Sequence, residues 1–280
     1  MDNPTIVGAV AYHPRVVRIW DGMREYFRSM GPPIDYVLYS NYDQMVYALL
    51  SHQIDIAWNT NLAWVKVHHR TEGRCRALAM RDVDAQFTTV IVARVDSGVD
   101  TLGDLRDKRL AVGSADSAQA SILPLYYLHR AGLDPEKNCH LLRFDLDVGK
   151  HGDTGTSELE VLRALRENRA DAGALGEPTW QNQLAEGRVD PGQIRPIWMS
   201  PPYCHCNFTV LADFSESRGR AWTASLLGMR YEDSQWRELM DLEGLKRWVP
   251  AEATILEGYR VLFDAVERQG LTRDWARHAK

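Results

Sequence analysis

Short apolar runs alternate with amphipathic stretches along the first two-thirds of the chain. Residues 6–11 form one apolar run, and apolar residues then recur at helical spacing until Gly31, Pro32 and Pro33 end that helix. Further strands are predicted at residues 36–39, 54–58 and 89–93, and further helices at residues 43–50 and 62–69. This order predicts mainly parallel sheets with helices on both faces, because helical crossovers join parallel strands.

A second α/β unit is predicted to begin near Asp96. It comprises a short helix at residues 101–106, strands at 108–113, 141–144, 170–175 and 194–198, and helices ending near residue 131 and spanning 158–168. A strand at 208–211 is followed by predicted helices at 216–227, 234–240 and 251–269. No repeat or long linker separates the two units, so the chain is expected to cross between them more than once.

Composition removes several classes of protein from consideration. The chain has 280 residues and a formal net charge of −5, which excludes a strongly basic nucleic-acid or polybasic membrane protein. Its four cysteines do not form a dense disulfide framework, and a reducing compartment is compatible with them. No apolar stretch reaches 18 residues, so no transmembrane helix is expected.

The first residues carry no basic segment, apolar segment or cleavage site of a secretory signal. The chain as it stands is therefore expected to be cytoplasmic, and periplasmic if a leader has been removed.

Motifs in a specific order identify the chain as similar to type II periplasmic binding proteins. They are residues 55–58, 90–99, 102–105 with 108–112, 123–124 with 131–135, 170–174 and 200–202. Within that superfamily the chain most resembles the phosphonate- and phosphate-binding subunits of ABC importers, from about Thr5 to Phe263. The resemblance implies an α/β fold of two lobes, each a sheet flanked by helices, joined by two hinge crossings near residues 92–96 and 203–211.

This resemblance also implies how the lobes divide and what they hold. Residues 1–94 and 204–280 would form lobe I, and residues 95–203 would form lobe II. A small anionic or zwitterionic ligand would occupy the cleft between the lobes, and hinge closure would enclose it.

The loop at residues 113–121 is the most informative candidate site. Small residues before a helix let backbone N–H groups approach an anion, and the helix dipole adds to the attraction. The Ser-Thr-Ser-Gly loop of phosphonate receptors corresponds to residues 117–120, so Ser117 is kept and two hydroxyl groups are lost. Ser114, Ser117 and Gln119 are candidate ligand contacts. The alternative is an ordinary strand-to-helix turn with Asp or Ser as its cap.

Other candidates follow the ends of the early strands. The resemblance implies an aromatic contact at Tyr12 or His13, and the alternative for His13 is a surface turn. Asn59 and Thr60 follow the third strand at its carboxyl end, where α/β proteins bind ligands, although Thr60 can also cap a helix. Thr88 occupies a place where the family often has a serine.

Residues 144–157 form a longer loop than the family has. The ligand-binding histidine of phosphonate receptors falls on Glu158 without a gap, or on His151 if the insertion follows it, and we favour His151. The loop is interpreted as a mobile lid or as a solvated loop. Glu177 is a candidate contact for a ligand amine, or equally the first-turn acid of a helix.

The segment from Tyr203 to Cys206 lies where the second crossing is expected, and Tyr203 is included among the candidate contacts. On a strand, Cys204 and Cys206 would face one side and His205 the other, so no metal site is predicted. Two buried thiols are the favoured interpretation, and a nucleophilic thiol is the alternative.

We therefore expect a solute-binding protein for a phosphonate- or phosphate-like oxyanion, with an ABC permease as partner if the chain is exported. No cofactor, metal or nucleic acid is expected. The alternative is a cytoplasmic enzyme on the same fold (a decarboxylase, lyase or pyrimidine-synthase-like enzyme) acting on a small aromatic or heterocyclic acid. His13, His151, Glu177 and Cys204 would then supply the catalytic groups.

Overall fold

The computed structural model describes residues 3–275 and, within them, no side chain at residues 254, 255 or 274. The described chain forms two compact units. Unit 1 comprises residues 3–86, 203–260 and 272–275, and unit 2 comprises residues 87–202 and 261–271.

The strands and helices follow one another in the alternating order that the apolar pattern predicts. The strands are β1 (Thr5–Val10), β2 (Ile34–Tyr39), β3 (Ile56–Asn59), β4 (Cys75–Ala77), β5 (Ala79–Arg81), β6 (Thr89–Arg94), β7 (Arg109–Val112), β8 (His140–Arg143), β9 (Ala172–Gly176), β10 (Ile194–Met199), β11 (Asn207–Leu211) and β12 (Trp248–Pro250). The α-helices are α1 (Arg15–Met30), α2 (Tyr42–Leu50), α3 (Asn61–Arg70), α4 (Leu123–Arg130), α5 (Pro135–Asn138), α6 (Thr156–Arg166), α7 (Glu177–Ala185), α8 (Glu216–Leu227), α9 (Ser234–Glu243), α10 (Ala253–Leu256) and α11 (Arg260–Arg268).

Each unit is built on one five-stranded sheet. The strand order is β2-β1-β3-β11-β4 in unit 1 and β10-β6-β9-β7-β8 in unit 2. In unit 1, β1 runs parallel to β2 and β3, whereas β11 runs antiparallel to β3 and β4. In unit 2, β7 runs parallel to β8 and β9, whereas β6 runs antiparallel to β9 and β10. The α/β class is confirmed, and the sheets are mixed because β6 and β11 run against the strands beside them.

Alternating residues of the strands bury both faces of each sheet. In unit 1, Trp58 and Phe208 point to the face that α1 covers, and Phe208 contacts Trp58 and Trp222 at ring distances of 4.4 and 4.7 Å. In unit 2, alternate residues of β6 enter two separate apolar clusters, one on each face. Both faces of each sheet are therefore covered by apolar side chains.

Two features of the secondary structure differ from the sequence expectations. The helix predicted at residues 251–269 is divided into α10, a 3-10 turn at Glu257–Tyr259 and α11. The division falls at Gly258, whose carbonyl accepts from the Cys204 N–H at 3.2 Å and where a Cβ would lie 2.7 Å from Cys204 Sγ. The strands β4, β5 and β12 were not predicted, because three residues are too few to show a periodic pattern.

The lobe boundaries after residues 94 and 203 stay a prediction. The compact units divide after residues 86 and 202, and residues 261–271 belong to unit 2. The strand β6 lies wholly in unit 2 because it pairs along its length with β9. Within residues 3–275, no helix is both long and apolar enough to cross a membrane.

Candidate functional site

The loop that follows β7 begins the candidate site in unit 2. Gly113 donates its N–H to the carbonyl of Ala120 at 2.9 Å, and a Cβ at Gly113 would lie only 2.6 Å from Cβ of Ala120. Glycine is therefore required for the loop to approach the helix so closely. The backbone N–H of Ser117 donates to the carbonyl of Ser114 at 2.9 Å, which closes the turn.

Ser117 begins the helical segment that leads into α4. A π-helical turn at Ala118–Ile122 precedes α4, and Ser117 Oγ accepts from the N–H of Ala120 at 3.2 Å. The predicted capping role of a serine in this loop is therefore seen. The hydroxyl proton of Ser117 stays available to a second acceptor, since the oxygen is the acceptor in the cap.

Glu158 connects three elements at this end of the sheet. It lies in the first turn of α6 and is 2% exposed. One carboxylate oxygen accepts from Gln119 Nε2 at 3.0 Å, and the other accepts from the N–H of Gly176, the last residue of β9, at 2.9 Å. Thr89 Oγ1 also donates to the carbonyl of Gln119 at 2.9 Å. The bond to Glu158 fixes the orientation of the Gln119 side-chain amide, because only the amide nitrogen can donate to the carboxylate.

The long loop after β8 packs on the Ser117 turn rather than extending into solvent. Asp145 Oδ1 accepts from the N–H of Ala115 at 2.8 Å, and Asp116 Oδ2 accepts from the N–H of Gly149 at 2.6 Å. His151, which is 2% exposed, donates its N–H to the same Asp116 oxygen at 3.3 Å.

Gly152 marks the closest approach of this loop to the Ser117 turn. A Cβ at Gly152, whose φ is +86°, would lie 2.6 Å from Ser117 Oγ and 2.8 Å from Gln119 Nε2. The expectation of a solvated loop is therefore wrong for His151 and Gly152, both of which are buried.

Several buried side-chain atoms in this region have no hydrogen-bond partner among the residues that the structure describes. They include Ser114 Oγ, Ser157 Oγ and Gln119 Oε1. Ser114 and Ser157 are at most 1% exposed, and Gln119 is 4% exposed. A buried polar atom without a partner is costly, so such atoms are kept where a ligand or water can satisfy them. We call Ser114, Ser117, Gln119, Ser157 and Glu158 the polar cluster.

Two further candidates, Thr88 and Glu177, lie beside the polar cluster. Thr88 precedes β6, and Glu177 follows β9. Glu177, the first residue of α7, follows Gly176 and donates its N–H to the carbonyl of Thr88 at 2.9 Å. Both side chains are half-buried. Glu177 therefore occupies the first-turn position that sequence analysis gave as one of its two roles, next to the strand end where Glu158 is bonded.

The candidates of unit 1 follow β1 and β3. Tyr12 is half-buried beneath Arg15, whose guanidinium lies 5.8 Å from the ring centre. His13 is exposed, and its Nδ1 accepts from the N–H of Arg15 at 3.1 Å, which supports the start of α1. Thr60 is fully buried and caps α3 by accepting from the N–H of Ala63 at 3.2 Å.

Asn59 belongs to a buried hydrogen-bonded chain across β3 and β11. Its Nδ2 donates to Thr209 Oγ1 at 2.8 Å, and Thr209 donates to Asn207 Oδ1 at 2.7 Å. Asn207 Nδ2 donates to the Tyr259 hydroxyl at 2.8 Å, which donates to the carbonyl of His205 at 2.9 Å. Burial is the main reason that the pKa of Tyr259 is raised well above its usual range. This chain of bonds holds β11 beside β3.

The segment before β11 differs from the predicted strand. Residues 204–206 lie outside any strand, and His205 Nδ1 approaches Cys206 Sγ to 3.0 Å. The expectation that His205 and Cys206 face opposite sides is therefore wrong, because the alternation of side chains holds only within a strand. Tyr203, Cys204 and Cys206 are all buried. Burial raises the pKa of Cys204 to about 12, so its thiol stays protonated near neutral pH.

Asp84, His205 and Cys206 bring three possible metal ligands within 4.8 Å of one another. Arg81 already engages this group, since its Nε and one terminal nitrogen donate to the two oxygens of Asp84 at 2.6 and 2.9 Å. Burial by itself would raise the pKa of Asp84, but the guanidinium outweighs it and lowers that pKa to about 2. A cation would have to share a carboxylate that is already neutralised.

Sequence analysis singled out Ser114, Ser117 and Gln119, and the structure places them in one cluster. Glu158 and His151 were alternatives for one predicted contact, with His151 favoured, and both lie at the Ser117 turn. Ser157 and Asp116 were not predicted as site residues, because the burial of Ser157 and the hydrogen bonds of Asp116 depend on residues distant in sequence. The only local signal for Glu158 was its place in the first turn of a helix, which many surface acids share.

A family model and a curated relative both place the chain among the substrate-binding proteins of ABC transporters. The family model of the periplasmic phosphonate substrate-binding protein of ABC transporters matches residues 9–255. A probable ABC transporter phosphite-binding protein, PhnD1 of Prochlorococcus marinus, is 22% identical over 240 residues, which cover 82% of this chain and 77% of that protein.

Solved structures share the fold at low sequence identity. PhnD1 in complex with methylphosphonate has a TM-score of 0.72 and 20% identity, covering 95% of this chain and 98% of that one. A Xanthomonas citri protein bound to ATP has a TM-score of 0.74 and 19% identity over the whole of both chains. The aliphatic sulphonate-binding protein SsuA of Escherichia coli has a TM-score of 0.64 and 15% identity, covering 97% and 94%. These matches confirm the two-lobed α/β fold, and they give no support to the alternative of an enzyme.

Proposed function

Because the chain belongs to the periplasmic phosphonate substrate-binding family of ABC transporters, we propose that it binds a phosphonate- or phosphate-like oxyanion for delivery to a permease. The observation that carries the proposal is the set of buried, unpartnered polar atoms at Ser114, Gln119 and Ser157, taken among the described residues. Hydroxyl groups beside a helix start are suitable donors to the oxygens of an anion.

The contacts of this ligand are assigned within the polar cluster. Ser114, Ser117 and Ser157 would donate hydroxyl protons to the oxyanion, and Gln119 would orient it. Further contacts are proposed from the family resemblance and from the residues' places along the chain, at Tyr12, His13, Asn59, Thr60, Thr88, His151, Glu177 and Tyr203. The ligand would be small, anionic or zwitterionic, and the exported form of the protein would act in the periplasm.

A thermal-shift panel tests the proposal on the purified chain. Methylphosphonate, phosphite, phosphate, methanesulfonate and an aromatic carboxylate are compared at equal concentration. A ligand at about 100 times its Kd adds about 2.7 kcal/mol of stability. For a chain of this size the midpoint should then rise by roughly 5–10 °C.

Matched serine variants locate the binding. We expect Ser114→Ala to reduce the shift, because it removes a buried hydroxyl that has no partner within residues 3–275. Ser97→Ala should leave the shift unchanged, since Ser97 lies beyond the opposite end of β6 and donates to the carbonyl of Arg94. A shift with the aromatic carboxylate and none with any oxyanion would contradict the proposal.

A further inference from the structure

Three side chains of different donor chemistry converge in unit 1 just before β11. Asp84 lies in the 3-10 turn at Asp82–Gln86, and His205 and Cys206 lie in the segment that leads into β11. Their carboxylate oxygen, ring nitrogen and sulfur lie within 4.8 Å of one another, and each residue is at most 4% exposed. Carboxylate, imidazole and thiolate are the three ligand types that bind Zn²⁺ in proteins.

The spacing of these three atoms suits one small cation. Nδ1 of His205 lies 3.0 Å from Sγ of Cys206 and 3.6 Å from Oδ1 of Asp84. Zn²⁺ binds its ligands at about 2.0–2.3 Å, so two ligand atoms on a tetrahedral ion are roughly 3.3–3.8 Å apart. The two distances from His205 therefore differ from that range by about 0.3 Å at most.

The backbone holds the two segments together independently of any ion. The N–H of His205 donates to the carbonyl of Asp84 at 2.8 Å. The hydroxyl of Tyr259 donates to the carbonyl of His205 at 2.9 Å. A metal that binds to ligands already held in place loses little of its binding free energy to ordering the chain.

Arg81 orients the carboxylate as an outer-shell partner. Its Nε and one terminal nitrogen donate to the oxygens of Asp84 at 2.6 and 2.9 Å. The other terminal nitrogen donates to the carbonyl of Glu243 at 2.7 Å and lies 3.6 Å from the carboxylate of that residue. Carboxylates that bind a metal are commonly hydrogen-bonded by a second residue in this way. A cation would therefore share Asp84 with a guanidinium that also has Glu243 beside it.

A metal ion can enter this group by replacing a proton. When Nδ1 of His205 carries no proton, the Cys206 thiol donates to it across the 3.0 Å contact. On binding of Zn²⁺ the S–H bond breaks, the proton passes to solvent, and the sulfur and the nitrogen both coordinate the ion. No electron is transferred in this step.

We infer that Asp84, His205 and Cys206 form a zinc site that joins the turn at Asp82–Gln86 to the segment before β11. Mg²⁺ and Ca²⁺ prefer oxygen ligands alone, so neither is the expected occupant. A water molecule would take the fourth position, as it does in other zinc sites with three protein ligands. Sequence analysis predicted no metal site because it placed His205 and Cys206 on opposite faces of a strand.

Metal analysis of the full chain provides the first test. Because the ligands are buried, Zn²⁺ is supplied in the growth medium and again to the purified chain, which is then separated from free metal by gel filtration. We expect one Zn²⁺ per chain, and no retained Mg²⁺ after the same treatment with Mg²⁺. Zn²⁺ at about 100 times its Kd should raise the midpoint of thermal unfolding by roughly 5 °C or more, and a chelator should reverse the change.

The variant Cys206→Ser provides the second test. Loss of an outer-shell partner weakens metal binding by about 10–100-fold, so loss of a ligand should weaken it by at least about 100-fold. Cys139→Ser is the matched control, because Cys139 is another buried thiol but donates to the carbonyl of Leu105 in unit 2. With Co²⁺ in place of Zn²⁺, the wild type and the control should show the near-ultraviolet absorption band of a cobalt–thiolate bond, and Cys206→Ser should not.

The outcomes separate clearly. A wild-type chain that retains no zinc would overturn the inference, and so would equal zinc affinity in the wild type and in Cys206→Ser. If Cys206→Ser does not fold, a thiolate band in the wild type and in Cys139→Ser supports the inference, and its absence overturns it. None of these measurements involves an oxyanion, so the proposed function is tested separately.

Discussion

Two buried polar regions of this protein use similar residues in different ways. In unit 1, Arg81 and Asp84 form a bidentate ion pair, and His205 donates its backbone N–H to the carbonyl of Asp84 at 2.8 Å. In unit 2, the polar cluster ties Glu158 to Gln119, but leaves hydroxyl and amide oxygen atoms without partners in the described chain. The carboxylate of the first region is paired by a guanidinium, whereas the second region has three oxygen atoms that can accept or donate a further hydrogen bond.

The difference shows that some buried polar groups stabilise the fold and that others are available to bind a ligand. A buried charge must be paired, and Arg81 meets that requirement for Asp84 within unit 1. The unpartnered atoms of the polar cluster reduce the stability of the ligand-free protein and can recover that loss when a ligand binds. Burial alone therefore does not identify a binding site; the polar cluster is distinguished because three buried oxygen atoms with unmet hydrogen bonds lie in one cluster.

The largest expected change in stability follows from breaking the Arg81–Asp84 ion pair. Asp84→Asn would leave the Arg81 guanidinium, which is 18% exposed, without its main counter-charge. We expect a loss of about 3–5 kcal/mol in the free energy of unfolding, measured by urea denaturation. Glu238→Gln breaks an exposed pair with Arg18 in the same unit and should cost less than about 1 kcal/mol. Equal losses of stability in the two variants would contradict the conclusion that the buried Arg81–Asp84 pair stabilises the fold.

An intermediate effect is expected at acid pH. Arg81 lowers the pKa of Asp84 to about 2 from the ordinary 3.8, despite the opposing effect of burial. The carboxylate therefore contributes stability above about pH 4, and this contribution is lost as the pH falls toward about 2. The loss should amount to about 2 kcal/mol. Urea titrations at pH 5 and pH 2.5 should show a smaller acid loss for Asp84→Asn, and equal losses would exclude Asp84 as the source.

The smallest change in the free energy of unfolding is expected from a serine substitution in the polar cluster. Ser157→Ala removes a buried hydroxyl that has no partner within the described residues, so the free energy of unfolding of the ligand-free protein should rise by about 0.5 kcal/mol. Ser117→Ala is the matched comparison, because it removes the cap on the N–H of Ala120 and should cost about 1 kcal/mol. If urea denaturation finds the same cost for both, then Ser157 is bonded within the protein.

Much of the fold was predictable because it depends on local periodicity. The helix α8 begins and ends at the predicted residues, and the helix predicted after β1 is seen as α1. The three-residue strands were not predictable, since their pairing with β11 or with each other is decided by distant residues. The division of the last helix at Gly258 likewise depends on the approach of Cys204.

The candidate site was predictable only in part. Ser117 and Gln119 lie in a loop of small residues, which is a local signal. Glu158 could not be separated from His151, because the length of a loop does not show where it folds back. His205 and Cys206 were expected on opposite faces, and their approach follows from a segment that is not a strand.

The sequence by itself determined the α/β class, the family resemblance and the small-residue loop, because each is recorded in neighbouring residues. Only the tertiary structure decided that Glu158 meets Gln119, 39 residues away, and Gly176, 18 residues away. The tertiary structure also decided which buried polar atoms have a hydrogen-bond partner within the described residues and which do not. The physical reason is that apolar periodicity is a local property of the chain, whereas a hydrogen bond between distant residues exists only once the sheet has placed them side by side.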